Sequence, residues 1–316
     1  NRYNIEANFD DLDQLMEEQK RREKQSHKKY EGESIEMKSG ELYPFQVAGV
    51  NYLGQVGGDA LIADEMGLGK TVQAITYLEG NNLYPALVVP PASLQINWRK
   101  EVQKWTDRSV RVTQHSDVSE EDIEDYDIFI VNYDKIWRYN NPQELIDVEF
   151  EAMVGDESHY IKNSGSNRSK AFQKIAKTIP NTLLLTGTPV LNRPKELINQ
   201  LDVLGKLEEV AVNEWEFKQR YCDAQKDDWG HWSFDGSSNV EELQSKLRRA
   251  CMLRREKQEV LDELPDKQDY ELWFDIDNRQ EYEKAKRDVA QFLKEHAKDT
   301  RQYYAIKNDE GEEAAR

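Results

Sequence analysis

From Glu41 to about Leu204, short runs of aliphatic and β-branched residues alternate with longer amphipathic stretches. The apolar runs predict six strands: Ala60–Ala63, Ala86–Val89, Val110–Thr113, Ile128–Val131, Ala152–Gly155 and Thr182–Leu185. The amphipathic stretches predict five helices: Phe45–Gln55, Lys70–Glu79, Leu94–Trp105, Arg168–Thr178 and Lys195–Leu204. Near-continuous apolar strands separated by helices indicate an α/β fold with a parallel sheet and helices on both faces. Ligands of such folds bind beyond the carboxyl ends of the strands, where we expect the functional motifs.

The pattern divides the chain into four segments: a charged N-terminal extension (1–40), the α/β lobe (41–205), a helical protrusion (206–266), and a hinge with the start of a further lobe (267–316). The extension predicts a helix at 9–25. We expect the strands to stop after Gly205. Leu264-Pro265-Asp266 interrupts the helical pattern because proline disfavours helix in the residue before it. The last segment predicts a strand at Tyr270–Ile276 and a helix at Asn278–Ala297.

Composition narrows the class of protein without deciding it. No apolar stretch approaches the roughly 18 residues that span a membrane, and neither a secretory signal nor a disulfide framework is visible. We therefore expect an intracellular protein, in the cytoplasm or nucleoid if prokaryotic or viral and in the nucleus if eukaryotic. The net charge of −18 disfavours nucleic-acid binding overall, but a ligand responds to the local field. Basic residues are concentrated at Lys162–Lys177 and Arg248–Lys257, and for either stretch alone a solvated helix face is the favoured interpretation.

A glycine-rich segment joins the first predicted strand to a helix. It comprises Asp64, Glu65, Met66, Gly67, Leu68, Gly69, Lys70 and Thr71, which we predict to bind a nucleotide. Glycines let the backbone approach phosphates, and a helix N-terminus presents free N–H groups to negative charge. Lys70 would contact the terminal phosphates, and the Thr71 hydroxyl would bind Mg²⁺. The strict pattern has glycine where Asp64 stands, and the alternative interpretation is a glycine turn that caps a helix.

A second motif, Asp156-Glu157-Ser158-His159, follows the strand Ala152–Gly155. Asp156 is predicted to hold Mg²⁺, and Glu157 to act as the general base that orients and deprotonates the attacking water. Alone, two acids at this place would be an ordinary helix N-terminus. We expect this acidic pair and Lys70 to converge, across neighbouring strand ends, on one triphosphate. His159 is predicted to couple nucleotide state to the nucleic-acid side.

Further candidates come from three shorter motifs and from the first basic stretch. Gln46 could select adenine, because an amide both donates and accepts hydrogen bonds. The candidates for coupling are Thr186, Gly187 and Thr188; those for nucleic-acid contact are Ser93, Asn97, Lys162 and Arg168. Simpler alternatives remain open for each motif: a residue in a first helical turn, a β-turn, and a helix cap with a buried Trp98.

In this order the motifs resemble those of the Swi/Snf-type ATPases of helicase superfamily two. The matching segments are DEMGLGKT (64–71), PPASLQINW (90–98), DESH (156–159) and LTGTP (185–189), continued by Asn192 and Glu196-Leu197. A narrower likeness to the HepA-related, annealing-helicase branch rests on RYCDA (220–224), Trp229-Gly230, GSSN (236–239), MLRREKQEVLDELPDK (252–267) and Ser158. One departure is Tyr43, which stands where many members have arginine.

This resemblance implies a RecA-like P-loop NTPase lobe with an added helical subdomain. In that family ATP and Mg²⁺ bind between two RecA-like lobes, and the motor translocates on double-stranded or forked DNA. The second lobe supplies arginine fingers, which in related phosphoryl transfers contribute roughly 10³–10⁵ in rate. We expect that lobe to be missing from this chain, and the chain alone to bind ATP·Mg²⁺ weakly and hydrolyse it slowly.

Three other functions are considered. An RNA helicase of the same superfamily is disfavoured by the Swi/Snf-type residues between Arg220 and Lys267. A non-catalytic nucleotide-binding module is disfavoured by the presence of Lys70, Asp156 and Glu157, although the isolated fragment could behave as one. A small-molecule P-loop kinase would leave the nucleic-acid motifs unexplained.

Overall fold

The computed structural model describes residues 35–113, 124–138, 142–187, 193–227 and 229–260, together with Arg279. The chain divides into two compact units, residues 1–264 and 265–316. All described residues except Arg279 belong to the first unit. The helix predicted at 9–25, the strand at Tyr270–Ile276 and, apart from Arg279, the helix at Asn278–Ala297 lie outside the described residues. The boundaries of the four predicted segments stay predictions.

The helices and strands alternate along the first unit. The strands are β1 Glu36–Met37, β2 Gly40–Glu41, β3 Ala60–Ile62, β4 Ala86–Val89, β5 Val110–Val112, β6 Ile128–Ile130, β7 Ala152–Gly155, β8 Thr182–Leu185, β9 Gln225–Lys226, β10 Trp232–Ser233 and β11 Met252–Leu253. The α-helices are α1 Pro44–Gln55, α2 Lys70–Gly80, α3 Gln95–Trp105, α4 Lys135–Arg138, α5 Pro142–Asp147, α6 Asn167–Ala176, α7 Ile198–Val203, α8 Leu207–Val210, α9 Glu214–Tyr221, α10 Val240–Ala250 and α11 Lys257–Val260. Short 3₁₀ turns precede α3 and α7 and follow β7.

Seven strands form one parallel sheet in the order β11-β3-β8-β7-β4-β6-β5. The prediction of a parallel α/β sheet is confirmed, and the six predicted strands are found within one residue of their expected ends. The expectation that strands stop after Gly205 is wrong, because Met252–Leu253 pairs with Leu61–Ile62. A strand of two residues is too short to produce a recognisable pattern.

Alternating side chains of the sheet pack against helices on opposite faces. On one face, Ile62 and Val88 belong to a buried cluster with residues of α1, α2 and α3. On the other, Leu61 and Leu87 belong to a cluster with residues of α6, α7 and α10. Because both faces are covered, the central strands are apolar at nearly every position, which is why the sequence shows almost continuous apolar runs. Both cysteines are buried and free. In the part of the chain that the structure describes, no helix has the length and apolarity needed to cross a membrane.

Candidate nucleotide-binding site

Three loops meet at the carboxyl edge of the sheet. The glycine-rich segment follows β3, Thr186 and Gly187 follow β8, and the acidic pair follows β7. Strand β8 lies between β3 and β7. The predicted convergence therefore crosses one intervening strand, and the expectation of neighbouring strands is corrected. Since all three strands are parallel, their ends still lie on the same side of the sheet.

The glycine-rich segment adopts a conformation that two of its glycines require. Gly67 and Gly69 have positive φ angles of 89° and 75°, a region that disfavours residues with a Cβ atom. Space is limited as well: a Cβ atom at Gly69 would overlap the amide nitrogen of Gln46. Gly69 also caps α2, so this helix begins at Lys70 with its free N–H groups at the sheet edge. We call residues 64–71 the phosphate loop.

Lys70 lies between the phosphate loop and the acidic pair. Its ammonium donates to the backbone oxygens of Asp64 (2.9 Å) and Glu65 (3.4 Å). Burial lowers the pKa of Lys70, while the negative charges of Asp64, Glu157 and Asp156 oppose that shift. The acidic pair is thus close enough to interact with the Lys70 charge, although no ion pair joins these described groups. Lys70 and both carboxylates therefore belong to the same edge of the sheet.

Asp156 is buried, and both its carboxylate oxygens are held in place. Oδ2 accepts a hydrogen bond from Trp98 Nε1 at 2.7 Å, and Oδ1 accepts one from the Glu157 N–H at 2.9 Å. Burial raises the pKa of Asp156, and the Trp98 hydrogen bond opposes that shift. A carboxylate oxygen has several acceptor sites, so each remains able to bind a cation. Trp98 fixes the direction in which the carboxylate faces.

Asp156 has carboxylate oxygens, which are donors of the kind that Mg²⁺ binds. Among the described residues, no group of three or more His, Cys, Asp or Glu side chains is arranged to hold a metal. Mg²⁺ is usually bound by one or two protein oxygens together with substrate phosphates and water. Asp156 comes directly after β7, and Thr71 lies in the first turn of α2, which follows β3, so both oxygen donors belong to the carboxyl edge of the sheet.

Glu157 has a strained backbone, with φ 51° and ψ 55°. A non-glycine residue in this region costs of order 1–3 kcal/mol, and such strain is concentrated at functional sites. The Glu157 carboxylate is partly exposed and lies 3.2 Å from His159 Nδ1. Ser158 is buried and donates to the side-chain oxygen of Gln200 at 2.8 Å. The motif therefore presents Glu157 and His159 to the surface and anchors Ser158 to α7.

The other candidate nucleotide contacts differ in their surroundings. Gln46 is buried: its side-chain oxygen accepts from the Tyr43 N–H at 3.0 Å, and its amide nitrogen donates to the Leu68 oxygen at 3.3 Å. It contacts the phosphate loop directly, and its selection of adenine stays a prediction. Thr186 is buried, and a Cβ atom at Gly187 would lie 2.5 Å from Met66 Cγ. Thr188 lies outside the described residues.

The four candidates for nucleic-acid contact lie at the surface. Ser93 and Asn97 are exposed, beyond the carboxyl end of β4. The side chain of Lys162 pairs with Glu196 at 3.2 Å, and that of Arg168 pairs with Asp134 at 2.9 Å. The Arg168 guanidinium also lies 5.1 Å from the centre of the Tyr160 ring. Their roles stay predictions.

Two residues near the site have roles that local patterns did not reveal. Trp98 is buried, as its helix-cap alternative expects, but it also hydrogen-bonds Asp156. Arg255 is only 2% exposed and pairs with Asp64, which is completely buried. The interpretation of Arg248–Lys257 as a solvated face is therefore wrong for Arg255. Asp64 contacts this arginine through its side chain, which explains how an acid can replace the glycine of the strict pattern.

Replacing Trp98 with phenylalanine is expected to increase the Mg²⁺ requirement of ATP binding by roughly tenfold or more, because groups that orient a metal ligand typically influence metal affinity this strongly. The ring is kept and only the N–H donor is lost. Mg²⁺ titration of ATP binding measures the effect. Trp105→Phe is the matched control: it lies on the same helix and donates to Glu101. Equal Mg²⁺ requirements in the two variants would contradict the role of Trp98.

The strand, glycine-rich loop and helix, with an acidic pair at the same sheet edge, define a P-loop nucleoside-triphosphatase lobe of the RecA type. The family model of the SNF2-related domain matches residues 45–312. The chain belongs to this family.

Relatives and solved structures agree with this assignment. The chain is 36% identical over 229 residues to the Xenopus tropicalis SWI/SNF-related matrix-associated actin-dependent regulator of chromatin subfamily A-like protein 1, covering 72% of this chain and 24% of that protein. It is 35% identical over 250 residues to the Bos taurus DNA annealing helicase and endonuclease ZRANB3, covering 74% and 22%. The chain thus spans about a quarter of the length of these curated relatives. The Sulfolobus solfataricus SWI2/SNF2 ATPase core in complex with dsDNA matches with a TM-score of 0.58 and 26% identity, covering 83% of this chain and 55% of that one.

Proposed function

We propose that this chain is the ATP-binding lobe of a DNA-dependent ATPase that translocates on double-stranded or forked DNA and remodels DNA or nucleoprotein. The observation that carries the proposal is the position of Lys70, Asp156 and Glu157 at the same carboxyl edge of the sheet, after the parallel strands β3 and β7. The names of the relatives, an annealing helicase among them, and the duplex in the Sulfolobus complex support DNA as the substrate.

Each residue of the site has a proposed task in ATP hydrolysis. The phosphate loop binds the triphosphate, and Lys70 contacts its terminal phosphates. Mg²⁺, held by Thr71 and Asp156, would neutralise charge that develops on the phosphates. Glu157 accepts a proton from the attacking water and returns it to solvent through its exposed face. Gln46 selects adenine beside the loop.

A second lobe is proposed to complete the catalytic site. The chain covers 55% of the Sulfolobus core, so the remaining part of such a core has no counterpart in the match. His159, Thr186, Gly187 and Thr188 are proposed to couple the nucleotide to movement of that lobe. We propose an intracellular location, the nucleus or the nucleoid according to the source.

DNA is proposed to bind along the surface that carries Ser93, Asn97, Lys162 and Arg168. The two cations are close to the acidic pair in the sequence, and Lys162 and Arg168 flank the N-terminus of α6. Backbone phosphates bind cations and free N–H groups of this kind without regard to base sequence. Both cations are partly exposed in their ion pairs with Glu196 and Asp134, so water weakens these pairs and a phosphate can displace them.

The test is ATP turnover by the two-lobed protein with duplex DNA or RNA added. We expect duplex DNA to stimulate turnover and RNA of equal length to have little effect. Stimulation by RNA alone would establish the alternative, an RNA helicase. Turnover that neither polymer changes, together with bound ATP, would establish a non-catalytic or nucleic-acid-independent module and overturn the proposal.

Combined replacement of Lys162 and Arg168 by glutamine is expected to weaken duplex binding uniformly across sequences. It should also reduce the slope of log affinity against log salt by about two, because each phosphate contact contributes about 0.9. Salt titration by fluorescence anisotropy measures both quantities. Lys177→Gln is the control, because this exposed lysine lies at the opposite end of α6. An unchanged slope in the double variant would exclude this surface.

A further inference from the structure

A buried polar network surrounds the first residue of the phosphate loop. Asp64 is completely buried, and Arg255 holds both its carboxylate oxygens. Arg255 Nη2 lies 2.5 Å from Oδ2, Arg255 Nε lies 3.1 Å from Oδ1, and the Arg255 backbone N–H donates to Oδ1 at 3.0 Å. Gln73 joins the network by donating to Asp64 Oδ2 at 3.1 Å and accepting from Arg255 Nη2 at 2.8 Å.

The network connects the phosphate loop to the chain segment beyond β11. Arg255 also donates to the Phe45 backbone oxygen in α1, and its own oxygen accepts from the Glu65 N–H at 3.0 Å. Two neighbours add contacts: Arg254 donates to the Ala63 oxygen at 3.0 Å, and the Lys257 N–H donates to the Glu65 carboxylate at 2.8 Å. We call Arg254–Lys257 the clamp segment.

A glycine in α1 provides the space that the network occupies. A Cβ atom at Gly49 would overlap the side-chain oxygen of Gln73 and lie 3.0 Å from Arg255 Nη2. Glycine within a helix is ordinarily less stable than alanine. Gly54 in the same helix has nothing within 4 Å of its corresponding position. The two glycines thus differ in whether alanine would disturb the network.

The network is better explained by the orientation that it gives to Asp64 than by a contribution to the folding stability of the protein. A buried ion pair contributes little net stability compared with well-packed apolar residues, because removing two charges from water is costly. What the planar, forked guanidinium provides is a fixed direction for both Asp64 oxygens. Asp64 and Glu65 also provide the two backbone oxygens that accept from Lys70. A shift at Asp64 would therefore move the lysine that contacts the phosphates.

We propose that Arg255 is a positioning residue for ATP binding: through Asp64 it holds the phosphate loop and Lys70 in the arrangement that accepts a triphosphate. The clamp segment thereby makes the nucleotide site depend on β11, an edge strand that is distant in sequence from the loop. This inference rests on the proposed function, since it assumes that the phosphate loop binds ATP.

The first test compares Arg255→Gln with the unsubstituted chain and with Arg108→Gln. Arg108 forms a partly exposed pair with Glu79 and Asp127, away from the loop. We expect Arg255→Gln to speed hydrogen exchange at residues 64–69 and to raise the ATP dissociation constant roughly 10- to 100-fold, since small misplacements have effects of this size. Arg108→Gln should change neither. Unchanged exchange and affinity in Arg255→Gln would overturn the proposal.

Three further variants separate the positioning of the loop from the folding of the protein. Removing one buried partner destabilises a protein strongly, whereas removing both charges is less harmful. Asp64→Asn combined with Arg255→Gln should therefore recover thermal stability but keep the weakened ATP affinity; recovery of both would show that the pair only supports the fold. Gly49→Ala should weaken ATP binding, while Gly54→Ala should not, and equal affinities would count against the network. If the unsubstituted chain does not bind ATP, the proposed function fails, and the exchange comparison still decides whether Arg255 orders the loop.

Discussion

Glu157→Gln is expected to lower ATP turnover by roughly 10²–10⁴-fold, the usual contribution of a general base, while ATP stays bound. The amide has the shape of the carboxylate but cannot accept the proton of the attacking water. Glu157 is partly exposed beside His159, and Asp156 holds its backbone N–H, so the substitution should leave the motif in place. Single-turnover hydrolysis and retention of labelled ATP, in the protein with the proposed second lobe, measure the two effects.

Glu151→Gln is the control for this prediction. Glu151 is an exposed acid just before β7, at the opposite end of the same strand. The Glu151→Gln variant should hydrolyse ATP at the rate of the unsubstituted protein. Equal turnover in Glu157→Gln and the control would show that another group activates water, and loss of ATP binding in Glu157→Gln would show that the acid serves the nucleotide rather than the water.

The sheet could be predicted from the sequence because its strands are buried on both faces. Strands such as Ala152–Gly155 are apolar at every position, so their limits are visible without knowledge of their partners. The position of β8 between β3 and β7 could not be predicted, because strand order depends on pairing across the whole sheet. Strand β11 could not be predicted for the same reason: its two residues form a strand only because β3 lies beside them.

In the site, too, features formed by residues close together in the sequence could be predicted, and contacts between residues far apart in the sequence could not. Gly67, Gly69 and Lys70 lie within four consecutive residues, so their motif predicts the loop. The positive φ angles of the two glycines are a finding of the structure. The hydrogen bond from Trp98 to Asp156 joins residues 58 positions apart, and the pair of Arg255 with Asp64 joins residues 191 positions apart. A basic stretch in the sequence gives no sign of which arginine is buried. That distinction requires the packed structure.

Lys70→Ala is expected to reduce ATP affinity roughly 10- to 100-fold, because a hydrogen bond to a charged group contributes about 1.5–3 kcal/mol and each 1.4 kcal/mol corresponds to about a tenfold change. The substitution should not lower the thermal stability of the protein without ATP. Burial lowers the pKa of Lys70 below its ordinary value, which means that at neutral pH the folded state disfavours the charge that the unfolded chain carries freely. Removing that charge should leave the melting temperature unchanged or raise it.

Thermal unfolding with increasing ATP·Mg²⁺ measures both effects together, because a ligand that binds only the folded state raises the melting temperature according to its affinity. The unsubstituted chain should show a shift that grows with ATP concentration, and Lys70→Ala should begin at an equal or higher temperature and shift little. Lys177→Ala, which removes an exposed lysine at the end of α6, should shift as the unsubstituted chain does. A lower starting temperature for Lys70→Ala with a full ATP shift would mean that Lys70 supports the fold and does not bind the nucleotide. A protein can retain a partly buried lysine that lowers the stability of its fold when that lysine is needed to bind phosphate. An equal or higher starting temperature together with a smaller ATP-induced shift in Lys70→Ala would demonstrate this balance between stability and binding.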